Sequence, residues 1–204
     1  VRNQDSTGPT AAGKGEAREP RESSPDPAAF HLHLAAPEDA PAIAALRTAV
    51  AEDLTRRYGK GHWSSVASER GVLAAMRSSQ VFLARAGSAV IATLRLGTKK
   101  PWAIDTSYFT PCKTPLYLTD MAVAPERQRQ GIGRLCVAEM RRIAMARMTR
   151  PADAIRLDAY DAAAGAGGFY HQCGFREVGR VVYRGTPLIY FEMLARPGAR
   201  SPAT

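Results

Sequence analysis

Cysteine is scarce in this chain, long apolar runs are missing, and acidic residues are outnumbered. Cys112, Cys136 and Cys173 are an odd set without metal-ligand spacing, which points to reduced thiols and no metal. No apolar stretch approaches the roughly 20 residues that span a bilayer, and the polar N-terminus carries no signal-peptide pattern. These absences lead to the expectation of a cytoplasmic protein with no membrane partner. The chain begins at Val1 rather than Met, which fits an unusual start codon, processing or truncation. Its 204 residues suit one domain with tails to spare, and 45% hydrophobic with 23% charged residues is ordinary for a globular protein.

Against 28 Lys and Arg stand 19 Asp and Glu, a net charge of +9. Such an excess fits a nucleic-acid partner, so its location matters more than its sum. From Glu126 to Arg150 lie Arg127, Arg129, Arg134, Arg141, Arg142, Arg147 and Arg150, opposed only by Glu126 and Glu139. They surround the most informative stretch. Leu116–Val123 is an apolar, β-branched run ended by Pro125 and reads as a strand. Gly131 and Gly133 then allow a sharp turn and a close approach to a ligand, because neither carries a Cβ. A helix follows at once, with Ile132, Cys136, Met140 and Ile143 at helical spacing and Arg134 and Arg141 on the other side. Such a loop aims backbone N–H groups, a helix N-terminus and several guanidinium groups at one place, which should hold an anion, above all a phosphate.

A dinucleotide fingerprint needs a third Gly where Cys136 stands, and no Gly-Lys-Ser/Thr run supplies a Walker A loop. Gln128-x-x-Gly131-x-Gly133, between a strand ending Met121-Ala122-Val123-x-Pro125 and a helix, resembles the acetyl-CoA loop of the GNAT superfamily of N-acetyltransferases. Phe169-Tyr170-x-x-Cys173-Gly174-Phe175 is similar to the Phe-Tyr-x-x-x-Gly-Phe signature late in GNAT domains. The two motifs agree in order and spacing.

The whole chain reads as β-α-α-β-β-β-α-β-α-β-β, a mixed α/β order without internal repeats. Residues 1–28 are polar, without hydrophobic period, and read as a disordered tail, with a second short tail at 197–204. Phe30–Leu34 alternates and reads as the first strand, with His31 and His33 as surface residues rather than a metal pair. Pro37–Arg57 reads as a helix with Ile43, Leu46, Val50 and Leu54 along one face. A loop over Tyr58–Ser65, holding His62 and Trp63, leads to a second helix near Val66–Arg77. Val81–Ala86 and Ala89–Leu96 form a hairpin, and Lys99–Pro115 has no clear assignment. Ala154–Ala159 is a short strand; Val178–Tyr183 and Leu188–Leu194 close the chain about a turn at Gly185-Thr186-Pro187. The resemblance covers Phe30–Leu194. It implies the GNAT fold, a mixed central sheet of about seven strands with four helices on its faces, as one domain over residues 29–196.

The resemblance also implies roles, position by position. Met121, Ala122 and Val123 would bind the pantetheine arm of acetyl-CoA as an added strand, with one N–H facing the thioester carbonyl. Gln128, Arg129, Gln130, Gly131, Ile132, Gly133 and Arg134 would hold the pyrophosphate. The arginines beyond the loop either steer the cofactor or form a solvated helix face. Where many members carry an Asn for pantetheine this chain has Ala163, so Ala163 and Ala166 would offer a side-chain-free approach beside Phe169. Tyr170 matches the tyrosine that protonates the departing thiolate, or it only packs on the cofactor.

Direct attack by a neutral amine needs neither a covalent intermediate nor a metal. Cys136 lies on an apolar stripe and Cys173 lacks a His and carboxylate, so both are poor nucleophiles. Asp120 is the candidate base, on the expectation that burial raises its pKa; the alternative is a structural Asp satisfied by backbone N–H groups. Asp158, Asp161, Glu192 and His171 are weaker candidates. The reading is an N-acetyltransferase for a primary amine of a small molecule or protein, with acetyl-CoA as co-substrate. A non-catalytic acyl-CoA sensor is the alternative, and nucleic-acid binding through the Arg-rich helix is disfavoured. The acceptor loops near Tyr58–Ser65 and Val178–Pro187 carry no recognisable code for the amine, and a homodimer is left open.

Overall fold

A computed structural model describes residues 30–146 and 151–195. The tails expected at 1–28 and 197–204, with Arg147 and Arg150, lie outside the described residues. In chain order the elements are β1 (His33–Leu34), α1 (Ala40–Tyr58), α2 (Glu69–Ser78), β2 (Gln80–Ala86), β3 (Ala89–Gly97) and β4 (Pro115–Val123). They continue with α3 (Ile132–Ala146), β5 (Ala154–Tyr160), α4 (Gly167–Gln172), β6 (Arg176–Tyr183) and β7 (Thr186–Leu194). The strands form one seven-stranded sheet in the order β1-β2-β3-β4-β5-β7-β6. Every neighbouring pair is antiparallel except β4 and β5. A parallel pair needs a long crossover, and α3 supplies it. The expected fold class is therefore what the chain adopts.

Side-chain alternation decides the layers, because successive residues of a strand point to opposite faces. Leu116 and Leu118 of β4 join one core with Phe191 of β7, whereas Tyr117 and Tyr190 join another. The first core is covered by α3 through Ile132, Cys136, Met140 and Ile143, the spaced residues of the sequence, and by Tyr170 of α4. On the opposite face α1 and α2 bring Ile43, Ala44, Val72 and Ala75 onto Val81 and Leu83 of β2. The unassigned stretch between β3 and β4 covers the rest of that face. Ile104 and Phe109 are buried there against Tyr117 and Tyr190. Among the described residues no helix is long and apolar enough to cross a membrane.

Three boundaries differ from expectation. Only His33 and Leu34 of the expected first strand pair with β2, and Leu34 is 62% exposed, so alternation here outruns the ladder. The second helix starts at Glu69 rather than Val66 because Ser68 caps it, its hydroxyl accepting the Gly71 N–H at 3.1 Å. The last hairpin turns at Arg184-Gly185, with φ of +50° and +80°, leaving Thr186 and Pro187 inside β7. Two residues at positive φ give the tight turn whose twist suits a hairpin.

Candidate active site

β4 bends where β3 stops matching it residue for residue. Thr93 pairs with Ala122 but Arg95 pairs with Thr119, so β4 holds one extra residue, a bulge, and Asp120 takes φ +54° there. Parallel pairing with β5 covers only Pro115–Tyr117, although the two strands continue to Val123 and Tyr160. Among the described residues the edge of β4 that faces β5 has no strand partner from Leu118 onwards. An extended ligand can add there as a strand. The gap opens into a cleft of about 600 Å³ whose lining includes Asp120, Met121, Ala122, Asp158 and Tyr170.

The Gly loop lies beyond the end of β4, and Gln128 ties the two together by donating its side-chain N–H to Val123 O at 3.1 Å. Gly131 has φ +84°, and a Cβ there would meet nothing within 4 Å. Leu135 N–H donates to Gly131 O at 3.1 Å. The N–H groups of Ile132, Gly133 and Arg134 precede that bond and are open to an anion, as the first turn of any helix leaves them. Arg129 and Arg134 are exposed beside them. A Cβ on Gly133 would stand 3.1 Å from the Phe169 ring. The two sequence motifs thus touch, and Gly133 is small because Phe169 needs the space.

Tyr170 is buried against Phe169, Phe175 and Phe191, with its hydroxyl 4.0 Å from Met121 Sδ. Burial above all, then Asp158 and Cys173, holds its phenol well above the usual range. It therefore stays protonated at neutral pH. Asp158, on β5, is half-buried and makes no ion pair among the described residues; burial pushes its carboxyl up.

Asp120 reaches the cleft, but its surroundings differ from those expected. Its carboxylate lies between Arg47 at 2.7 Å and Arg95 at 2.9 Å and is 26% exposed. Neither apolar burial nor backbone N–H groups hold it; the bulge turns it towards α1 and β3, where guanidinium groups meet it. Of the weaker candidates, Glu192 pairs with Arg156, Asp161 with Arg180, and His171 lies 3.5 Å from Glu177. Ala166 lines the cleft together with Ala164, whereas Ala163 is exposed. The Cys136 thiol is sealed in the core and pushed up to about 12 by burial, which removes it as a nucleophile. His31 and His33 are exposed.

The loop between α1 and α2 forms one wall. Trp63 meets Tyr160 edge-on at 6.0 Å and His62 stacks on it at 6.2 Å, with His62 Nε2 2.8 Å from the Thr186 hydroxyl. Sequence reasoning flagged this loop but passed over Arg47 and Arg95. A single Arg inside the apolar run Val90–Leu96 was the available signal.

This seven-stranded mixed sheet with its four helices is the fold that the two sequence motifs imply. Residues 77–177 match the family model of the acetyltransferase (GNAT) domain. Over those residues the chain carries a GNAT acetyltransferase domain, and it is an acetyltransferase. No curated protein matches it. Among solved structures it is similar to an N-acetyltransferase from Staphylococcus aureus Mu50, with 14% identity, TM-score 0.59, and 82% of this chain and 99% of the other covered. yncA from Salmonella typhimurium, solved with its cofactor acetyl-CoA, shares 16% identity at TM-score 0.57, covering 86% and 99%. A ribosomal-protein-alanine N-acetyltransferase from Brucella melitensis shares 17% at 0.58, covering 80% and 98%. At these identities the likeness is one of fold.

Proposed function

We propose that this protein transfers the acetyl group of acetyl-CoA to a primary amine by direct attack. The observation that carries the reading is the parting of β4 from β5 after Tyr117, with Asp158 and Tyr170 facing the same gap. The open N–H groups at Ile132–Arg134 suit a pyrophosphate, and the free edge of β4 suits an extended pantetheine arm. An N–H from Met121–Val123 then polarises the thioester carbonyl and stabilises the oxyanion.

The amine nitrogen bonds to the carbonyl carbon as the C–S bond breaks. Asp158 takes the proton lost by the amine, because a half-buried carboxyl is a stronger base than an exposed one. Tyr170 gives its proton to the departing sulfur and regains one from solvent. Asp120 is instead engaged by two guanidinium groups.

Calorimetric titration with acetyl-CoA, followed by a free-thiol assay across a panel of amines, tests the reading. Saturable binding and amine-dependent CoA release are expected. Tight binding with no release from any amine would instead mark a sensor of acyl-CoA.

A further inference from the structure

The acceptor side of the cleft carries a charge arrangement that acetyl transfer itself does not use. Arg47 and Arg95 share the single carboxylate of Asp120, which leaves an excess positive charge at the β4 bulge. Arg47 spends Nη2 on Asp120 Oδ1. Arg95 spends only Nε, on the Thr119 hydroxyl at 2.8 Å and on Asp120. Among the described residues Nη1 and Nη2 of Arg95 make no hydrogen bond, and the two Arg side chains are 29% and 31% exposed in the cleft. The outer edge of a guanidinium is a planar pair of donors that matches a carboxylate.

The CoA phosphates are not that anion. Arg57, at the other end of α1, reaches Gln128 of the phosphate loop at 3.4 Å. Ten residues of helix put Arg47 about 15 Å further along the axis. The remaining walls are aromatic: Trp63, Tyr160 and Tyr183 line the cleft, with Trp102 at its mouth 85% exposed. A second hollow of about 400 Å³ continues from Trp102 and Tyr183 to Val182, itself 72% exposed. Such a surface accepts an apolar body, and with Asp158 the only other carboxylate among the described residues of the cleft lining the guanidinium pair disfavours a polyamine at the bulge.

We propose that the acceptor is an amino-acid-like small molecule, an amine bearing a nearby carboxylate and a bulky apolar or aromatic body, with the carboxylate bound by Arg95 and Arg47. This rests on the acetyl-transfer reading, in which the thioester carbonyl lies at Met121–Val123. Asp120 immediately precedes Met121, so the two guanidinium groups that hold its carboxylate stand beside the acyl carbon's place. An α-amino acid carries its nitrogen and its carboxylate on one carbon, so a carboxylate held by the guanidinium groups keeps the nitrogen close to that place.

The test compares kcat/KM for phenylalanine and tryptophan with phenethylamine, tryptamine, phenylalanine amide, an N-terminal Phe dipeptide and spermidine. The free acids should lead their carboxylate-free counterparts by about ten- to a hundredfold, and spermidine should be poorest. In Arg95→Gln that lead should shrink through a raised KM for the acids; Arg95→Lys, which keeps the charge without the fork, should restore part of it. Equilibrium binding of 3-phenylpropionate, which cannot be acetylated, reads the same subsite without turnover and should weaken in Arg95→Gln and in Arg47→Gln. Equal or better turnover of the amide, dipeptide or decarboxylated amines, or 3-phenylpropionate binding indifferent to both variants, overturns the inference while leaving acetyl transfer standing. CoA release from no amine, with 3-phenylpropionate still bound through Arg95, would sink the transferase reading and keep the subsite.

Discussion

Two carboxylates face the cleft, and their neighbours give them opposite characters. Asp120 is ion-paired twice, whereas Asp158 is half-buried and unpaired among the described residues, its carboxyl raised by burial. Asp158→Asn should lower kcat/KM by about a hundred- to ten-thousandfold, the usual worth of general base catalysis, with acetyl-CoA affinity nearly intact. A loss below tenfold in steady-state assays would remove Asp158 from the base role. Because its folded pKa lies above the unfolded one, the folded state is penalised progressively as pH rises from the ordinary carboxylate value through the raised one. Asp158→Asn should therefore melt higher than wild type at pH 7, an advantage that vanishes in scans below the ordinary carboxylate range. Tyr170→Phe removes the proposed proton donor while keeping the ring among Phe169, Phe175 and Phe191. Its kcat should fall while calorimetric acetyl-CoA affinity holds.

At the scale of elements, the β5–β7 pair holds Asp158 in place and carries a buried ion pair. Arg156 and Glu192 are register partners, 4% and 1% exposed, with Nε 3.1 Å from Oε1. The second carboxylate oxygen accepts the Thr110 N–H at 3.3 Å and lies 3.4 Å from Arg176. Glu192 thus joins the β3–β4 loop to the sheet as well as pairing two strands. Glu192→Ala strands a buried guanidinium and should cost about 3–5 kcal/mol in urea unfolding. The apolar double variant Arg156→Met, Glu192→Leu should recover most of it, since well-packed apolar side chains avoid the desolvation of both charges. A single variant as stable as wild type would mean the pair is solvated in solution.

For the whole molecule, the sheet has a built-in seam. β1–β4 with α1 and α2 supply one wall of the cleft, and β5–β7 with α4 the other. Between them lie the short pairing at Pro115–Tyr117 and the crossover α3. A ligand that fills the seam bridges both walls and should stabilise the fold. At a free concentration of a hundred times Kd, acetyl-CoA should add about 2.7 kcal/mol, or about 5–10 °C in Tm by scanning calorimetry. Gly131→Glu puts a carboxylate on the proposed phosphate loop at φ +84°, where a side chain is strained and an anion repelled. Its own Tm should not move when acetyl-CoA is added; a wild-type shift in this variant would show that the loop does not hold the phosphates.

Periodicity sufficed for α1, α3 and most strands, because burying one face of an element imposes a pattern that local residues carry alone, while the seven-stranded sheet with four helices was implied by the resemblance that the two motifs carry. The Gln128–Gly133 loop was legible for the same reason: a backbone turn that needs no Cβ leaves Gly131 and Gly133 in the sequence as its mark. The charges of the acceptor cleft were not legible. Arg47, Arg95, Asp120 and Asp158 come from α1, β3, β4 and β5, and nothing local says that Asp120 would be paired while Asp158 stays unpaired. That was decided by the tertiary structure, where one extra residue in β4 turns Asp120 towards two guanidinium groups and β4 parts from β5 after Tyr117. The character of a carboxylate depends on the charges and solvent around it, and these are brought together only by folding.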